Sequence, residues 1–404
     1  MEAHDKPEPA VATESKLREV EQCCISTDSL LAEISYSPAR DKLYFATSSG
    51  EKCTHYDTPQ YRIIPPLGLK EFCWNGILKL PVEAAPSGGQ ETLASDIKQF
   101  ISRYVDIPFE WCEPVSRYIL MTWVYDRFAA VPYLRFLGEA GTGKTRLLEI
   151  CSSLCFRPLM VSGNITGPAL FRSTDLIRGT LLIDESDLRN SAEWNDIVKV
   201  INNGYSNSAP VIRCDKDNGF HPTSYHVFGP KILSSRGRYE DDATESRCLT
   251  FETIKRRVRK EVPLQLGPEF VEETVALRNR LLGFRFENLR AIKPNDAPLR
   301  HLEPRVAQIG ASLLAVTSGE STATMVRFLE SYSADRREQG LEGAVRQALA
   351  EPGGQDRRLQ DIACRVNELL QDVGEHSSVQ RIGGMVRSLG YEVVRRKQGM
   401  VVLV

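Results

Sequence analysis

Eight consecutive residues, Gly138-Glu139-Ala140-Gly141-Thr142-Gly143-Lys144-Thr145, combine three glycines with a lysine and a terminal hydroxyl. The spacing is G-x-x-x-x-G-K-[ST]. Its glycines let backbone N–H groups curl round a polyphosphate without Cβ clashes. Lys144 is placed for the β- and γ-phosphates of ATP, and the Thr145 hydroxyl for Mg²⁺. A second chemical stretch, Gly179-Thr180-Leu181-Leu182-Ile183-Asp184-Glu185, ends an apolar run in two carboxylates. Asp184 is suited to the metal and Glu185 to polarising an attacking water.

These residues need rigid supports. Tyr133-Leu134-Arg135-Phe136-Leu137 before the glycine loop is short, apolar and β-prone, while Arg146-Leu147-Leu148-Glu149-Ile150 after it favours helix. Strand, loop and helix together turn the pattern into a physical site, and the helix N-terminus adds partial positive charge. Further strands are expected at 157–163 and 230–235, with helices at 93–105, 115–130, 166–173 and 191–205. The aromatics of the two helices before the loop read as core. Residues 211–228 read as a β-hairpin turning at Asn218-Gly219. Next come Ser234-Ser235, an acidic stretch from Asp241 to Glu245, and Arg247 ahead of an apolar strand. The basic run 255–260 reads as a solvated linker or a phosphate contact. Helices at 267–284 and 299–333 follow, with Pro304 and Arg305 in a first helical turn.

The chain has 404 residues, 42 % hydrophobic and 26 % charged, with a net charge of −2. That is a soluble globular composition with two or three domains, and any nucleic-acid contact must use local basic patches. No apolar run is long enough to span a membrane. The ten cysteines form neither a disulfide framework nor a standard zinc spacing, which points to a cytoplasmic protein. Residues 1–20 read as a disordered lead-in, 21–90 as a small β-rich module, and 84–90 as a linker. Residues 91–260 form the ATPase core, 261–335 a helical lid and 340–404 a separate unit. That last unit has three helices and a hairpin. A capped helix at 377–388 carries Arg381 and Arg387, and the hairpin carries Arg395, Arg396 and Lys397. Such an arrangement suggests a winged helix with phosphate-binding cations, although the same fold also serves as a protein–protein module.

The paired motifs, the hairpin before the 230–235 strand, Glu245-Ser246-Arg247 and the helical lid resemble an AAA+ ATPase. The nearer likeness is to ring helicases of the minichromosome-maintenance type and of phage and plasmid replication modules. The resemblance covers roughly residues 93–404. It implies an α/β fold with a parallel-sheet P-loop core, ATP and Mg²⁺ as cofactors, and a ring of self-associated subunits, usually six. It also implies DNA and replication or mobile-element proteins as partners. In its terms Ser235 (or Ser234) is the polar sensor, Arg247 a finger acting on the neighbouring subunit, and Arg305 a second sensor at the nucleotide. Arg213, Lys216 and His221 on the hairpin would track DNA in a central channel. The sensor position departs from the usual Asn, and the N-terminal module matches no primase or zinc-ribbon pattern. Three activities stay open: a DNA helicase or translocase, a DNA-binding switch or loader, and an NTPase signalling module.

Overall fold

The computed structural model describes residues 17–162, 165–186, 192–208, 210–214, 219, 221–239, 242–255, 257–351, 356–371, 376–396 and 399–403. Its centre is a five-stranded parallel sheet. In chain order the elements are β1 (Tyr133–Leu137), α1 (Lys144–Leu154), β2 (Leu159–Ser162), α2 (Gly167–Ile177), β3 (Leu181–Asp184), α3 (Ala192–Asn203), β4 (Lys231–Ser235) and β5 (Cys248–Glu252). The spatial order is β5-β1-β4-β3-β2. Thus β4 lies between the strand that leads into the glycine loop and the strand that ends in Asp184. Every pair in the sheet is parallel. A parallel sheet needs helical crossovers and is covered on both faces, so side chains on both sides of its strands are mostly buried rather than alternately exposed.

The two faces divide by residue parity. Leu134, Phe136, Leu182, Ile232, Leu249 and Phe251 enter one core with α1 and helices Gln90–Tyr104, Phe109–Thr122 and Pro268–Asn288. Tyr133, Leu181, Ile183, Leu233 and Cys248 enter the other, with α2, α3 and N-terminal strands. Helix Pro268–Asn288 was expected to belong to a lid. It instead buries Phe270, Leu277, Leu281, Leu282 and Phe284 in the core shared with α1. Helices Pro304–Leu314 and Glu320–Gln339 follow it. The Tyr332 hydroxyl donates to the Cys248 carbonyl and accepts from the Thr250 N–H, both at 2.9 Å, which ties the last helix to β5.

The N-terminal module holds a four-stranded antiparallel sheet and a second sheet of three strands. Strands Lys42–Thr47 and Tyr61–Ile64 belong to it, and strand Arg18–Glu21 takes the end of the expected disordered lead-in. The module is joined to the core by Glu33, which is buried and accepts from Arg157 and, at 2.7 Å, from Arg285. Both guanidiniums also lie over Phe156, at 4.6 and 4.5 Å. Residues 84–90 are no loose linker. The Ala85 N–H bonds Asn279, and a Cβ on Gly283 would come within 1.8 Å of the Ala85 carbonyl. Only glycine permits that approach of backbone to helix.

The hairpin pairs Val211–Cys214 with Pro222–Tyr225, and Gly219 at the turn has φ +62°. The C-terminal unit has its own apolar core and contains helices Leu341–Ala350, Leu359–Gln371 and Val379–Ser388. Ser378 caps the last of these, and Gly390 follows it at φ +89°. Strand Asp356–Arg358 adds to the hairpin strands Glu392–Arg396 and Gly399–Leu403, making three strands where the sequence indicated two. A strand that short carries no readable alternation.

Candidate nucleotide site

The glycine loop leaves β1 at the carboxyl edge of the sheet. Gly138, Gly141 and Gly143 have φ of +157°, +78° and +90°. At Gly138 a Cβ would lie 2.3 Å from the Thr253 carbonyl, so both conformation and space demand glycine. Thr253, just past β5, holds the loop. Its hydroxyl donates to the Leu137 carbonyl at 3.0 Å and lies 2.7 Å from the Thr142 hydroxyl. Glu139, Ala140 and Gly141 are exposed. The Lys144 ammonium donates to the Gly138 and Glu139 carbonyls, which holds it over the mouth of the loop.

The second half of the site comes from β3 and β4. The Thr145 hydroxyl donates to the Asp184 carboxylate at 3.1 Å. The other Asp184 oxygen accepts from the Glu185 N–H at 2.9 Å and from the Ser234 hydroxyl. A hydroxyl and a carboxylate side by side are hard oxygen donors of the kind magnesium takes, so the residues present fit that ion. Glu185 has φ +53°, a left-handed conformation that costs a non-glycine residue about 1 kcal/mol or more. Its carboxylate is held out into the cleft, 3.8 Å from the Arg236 guanidinium. Ala140, Gly141, Gly143, Lys144, Thr145, Asp184, Glu185, Ser234 and Arg236 thus line one cleft of about 410 Å³.

Of the two adjacent serines, Ser234 is the one beside Asp184. Ile183 pairs with Leu233 in the sheet, so Asp184 comes level with Ser234 on the face covered by α1. Ser235 points to the opposite face, and its buried hydroxyl has no hydrogen-bond partner. The sequence offered Ser235 or Ser234, because two adjacent serines do not reveal strand register. Arg236, directly after β4, also lines this cleft.

A second cleft of about 280 Å³ adjoins the first across Gly141 and Gly143. Its walls are Tyr104, Val105 and Pro108 on one side and Ile254, Val258, Val262, Pro263 and Leu264 on the other. Arg146 on α1 braces both walls by donating to the carbonyls of Tyr104, Pro263 and Leu264. The basic run therefore folds over this cleft. Arg259 is pinned to Asp106 at 3.0 Å, while Lys255 and Arg257 are exposed.

The remaining candidates scatter. Arg247 precedes β5, and its carbonyl accepts from the Tyr133 N–H at 2.9 Å, at the amino edge of the sheet. About 13 Å of strand separates that edge from the glycine loop. Arg305 does not line the cleft of Lys144 and Asp184. It lies beside Tyr205, 5.2 Å from the ring, where Arg247 also stacks at 4.2 Å. The segment before helix Pro304–Leu314 carries it to the amino edge, which sequence order does not disclose. On the hairpin, Arg213 is half-buried and stacks over Phe171 at 4.8 Å, whereas His221 is exposed. Lys216 and Lys397 lie outside the described residues. Arg381, Arg387, Arg395 and Arg396 are all exposed on the C-terminal unit.

No family model matches this chain, and no curated protein matches it. Among solved structures it is similar to the A form of the NrS-1 C-terminal region, at 14 % identity and TM-score 0.34, covering 91 % of this chain and 83 % of that one. It is also similar to the SCCmec type IV Cch active helicase, at 12 % identity and TM-score 0.45, covering 96 % and 79 %. The JCV helicase covers 64 % of this chain and 65 % of its own, at 11 % identity and TM-score 0.27. These are loose likenesses of fold.

Proposed function

We propose that this chain is an ATP-hydrolysing AAA+ motor that works on DNA as a ring, as a helicase or translocase of a replicating mobile element. The observation that carries the reading is the convergence of Lys144, Thr145, Asp184, Glu185, Ser234 and Arg236 on one cleft beside a second, largely apolar one. In this reading the triphosphate lies in the glycine loop and the base in the adjoining cleft. Lys144 meets the β- and γ-phosphates. Thr145 and Asp184 hold magnesium, whose charge offsets that of the phosphates. Ser234 fixes Asp184 through its hydroxyl. Glu185 orients a water in line with the γ-phosphate and accepts its proton. Arg236 is near enough to move from Glu185 to the γ-phosphate. Arg247 lies too far along the sheet to serve its own site and acts on a neighbour.

The DNA contacts of the proposal come from the exposed face of the hairpin near His221 and from Arg381, Arg387, Arg395 and Arg396. The C-terminal unit is read as a winged helix with Val379–Ser388 as its recognition helix. The helices after β5 act less as a mobile cap than as a wall. The experiment is ATP turnover with and without single- and double-stranded DNA, alongside strand displacement and native mass with ATP. We expect DNA-stimulated turnover by an oligomer that separates strands. Turnover without strand separation would move the reading to a loader or switch. A monomer indifferent to DNA would end it.

A further inference from the structure

The cleft beside the glycine loop has a buried apolar floor of Val105, Leu147 and Phe251. Its outer wall is open. Ile254 is 69 % exposed and Leu264 90 % exposed, although both line the cleft. Apolar side chains left open round a concave surface mark a place for an apolar or planar ligand. Among the described residues, the polar side chains on its walls are Tyr104, Asp106, Thr142, Arg146, Glu252 and Thr253. Each is already engaged within the chain. The Tyr104 hydroxyl donates to Glu273 at 3.2 Å, and Asp106 accepts from the Arg259 Nε at 3.0 Å. Glu252 accepts from Arg238. The Thr142 hydroxyl donates to the Glu139 carbonyl at 2.8 Å, and the Thr253 hydroxyl to that of Leu137 at 3.0 Å. Arg146 uses both terminal nitrogens on the carbonyls of Tyr104, Pro263 and Leu264, which are backbone acceptors of the two walls. Nucleobases differ in the donors and acceptors of their edges but share apolar faces. A site built to hydrogen-bond a group rejects the analogue lacking it by about 10⁴–10⁵, whereas an apolar pocket discriminates far less.

We infer that this cleft holds a nucleobase by its faces and shape without reading its edge, so that the chain hydrolyses nucleoside triphosphates as a class rather than ATP alone. The inference rests on the reading of Lys144 and its neighbours as a hydrolytic phosphate site. The step is the same for each substrate. Water attacks the γ-phosphorus, the bond to the bridging oxygen breaks, and a nucleoside diphosphate, phosphate and a proton are released. The open outer wall leaves the polar edge of any base in water, so no donor or acceptor on it goes unpaired. A larger base covers more of Ile254 and Leu264, which favours purines over pyrimidines. Arg146 is a positioning residue. From the first turn of α1 it holds the two walls together, so one element aligns both base and triphosphate.

The test measures kcat and KM of the full chain with ATP, GTP, CTP and UTP at saturating magnesium. ATP and GTP should agree in kcat/KM within about tenfold, with the pyrimidine nucleotides up to about tenfold below them. A wider gap between ATP and GTP, or no turnover of the pyrimidine nucleotides, overturns the inference and leaves the hydrolytic site standing. Ile254→Ala combined with Leu264→Ala changes two exposed positions. It should raise KM about threefold or more for every nucleotide and keep the ratios between them. An unchanged KM, or a loss confined to one base, overturns the inference. Asp106→Asn checks whether that carboxylate leaves Arg259 to read the base. The ATP-to-GTP ratio should not move, and a change of more than about tenfold overturns the inference. Lys144→Ala should remove all four activities together. Two results would instead strike the underlying reading: wild-type turnover of no nucleotide, or turnover of every nucleotide by Lys144→Ala.

Discussion

The smallest decision in the site is which of two adjacent serines faces Asp184. Strand side chains alternate faces, so a one-residue change of register exchanges a hydroxyl bonded to Asp184 for one without a partner. Ser234→Ala removes the hydroxyl that fixes the carboxylate proposed to hold magnesium, and such supports are worth about 10–100-fold in activity or metal affinity. Turnover and magnesium dependence should both suffer. Ser235→Ala removes a buried hydroxyl with no partner, so it should leave turnover unchanged and stability unchanged or slightly raised. The pair, assayed side by side for kcat and urea midpoint, tests the register directly. Equal losses from both would count against it.

At the scale of elements, buried ion pairs do much of the joining. Glu33 links the N-terminal module to the segment after α1 and to helix Pro268–Asn288 through Arg157 and Arg285. Glu33→Ala would leave two buried guanidiniums short of a counter-charge, at a cost of about 3–5 kcal/mol. A lowered urea midpoint, with the N-terminal strands losing hydrogen-exchange protection first, is the expected readout. A change under 1 kcal/mol would show the module to be independently held. Glu245 anchors the loop that carries Arg247. Burial pushes its carboxyl up, but the Arg135 hydrogen bonds and charge outweigh that and hold it below its usual value of 4.5. A depressed acid adds stability above its unfolded pKa and loses it as pH falls through the folded one. Thermal unfolding should therefore show acid destabilisation beginning below about pH 4.5, and Glu245→Gln should flatten that limb while lowering stability at pH 7.

Across the whole molecule, the question is whether the chain engages DNA by charge. The net charge of −2 gives no general attraction, so contact depends on exposed local cations such as Arg381, Arg387, Arg395 and Arg396. Replacing all four by Ala should weaken DNA binding similarly for every sequence. It should also reduce the slope of log affinity against log salt by up to about 3–4 on duplex DNA. Anisotropy titrations at several salt concentrations read both. An unchanged slope would assign the C-terminal unit to protein contacts instead.

Much of this was local and therefore legible. The glycine loop, its strand and helix, the Asp184-Glu185 ending, the capped helix at 379–388 and most core elements follow from short-range rules. Glycine conformations, apolar runs and capping hydroxyls act within a few residues, and sequence displays them. What the tertiary structure alone decided depended on distance in the chain. It set the level of Ser234 beside Asp184, because register belongs to two strands at once. It packed residues 84–90 against helix Pro268–Asn288, although their composition reads as a linker. It also brought Arg305 to Tyr205 and Arg247 rather than to Lys144. An arginine carries the same charge wherever it is placed, and only the folded chain determines which anion it faces.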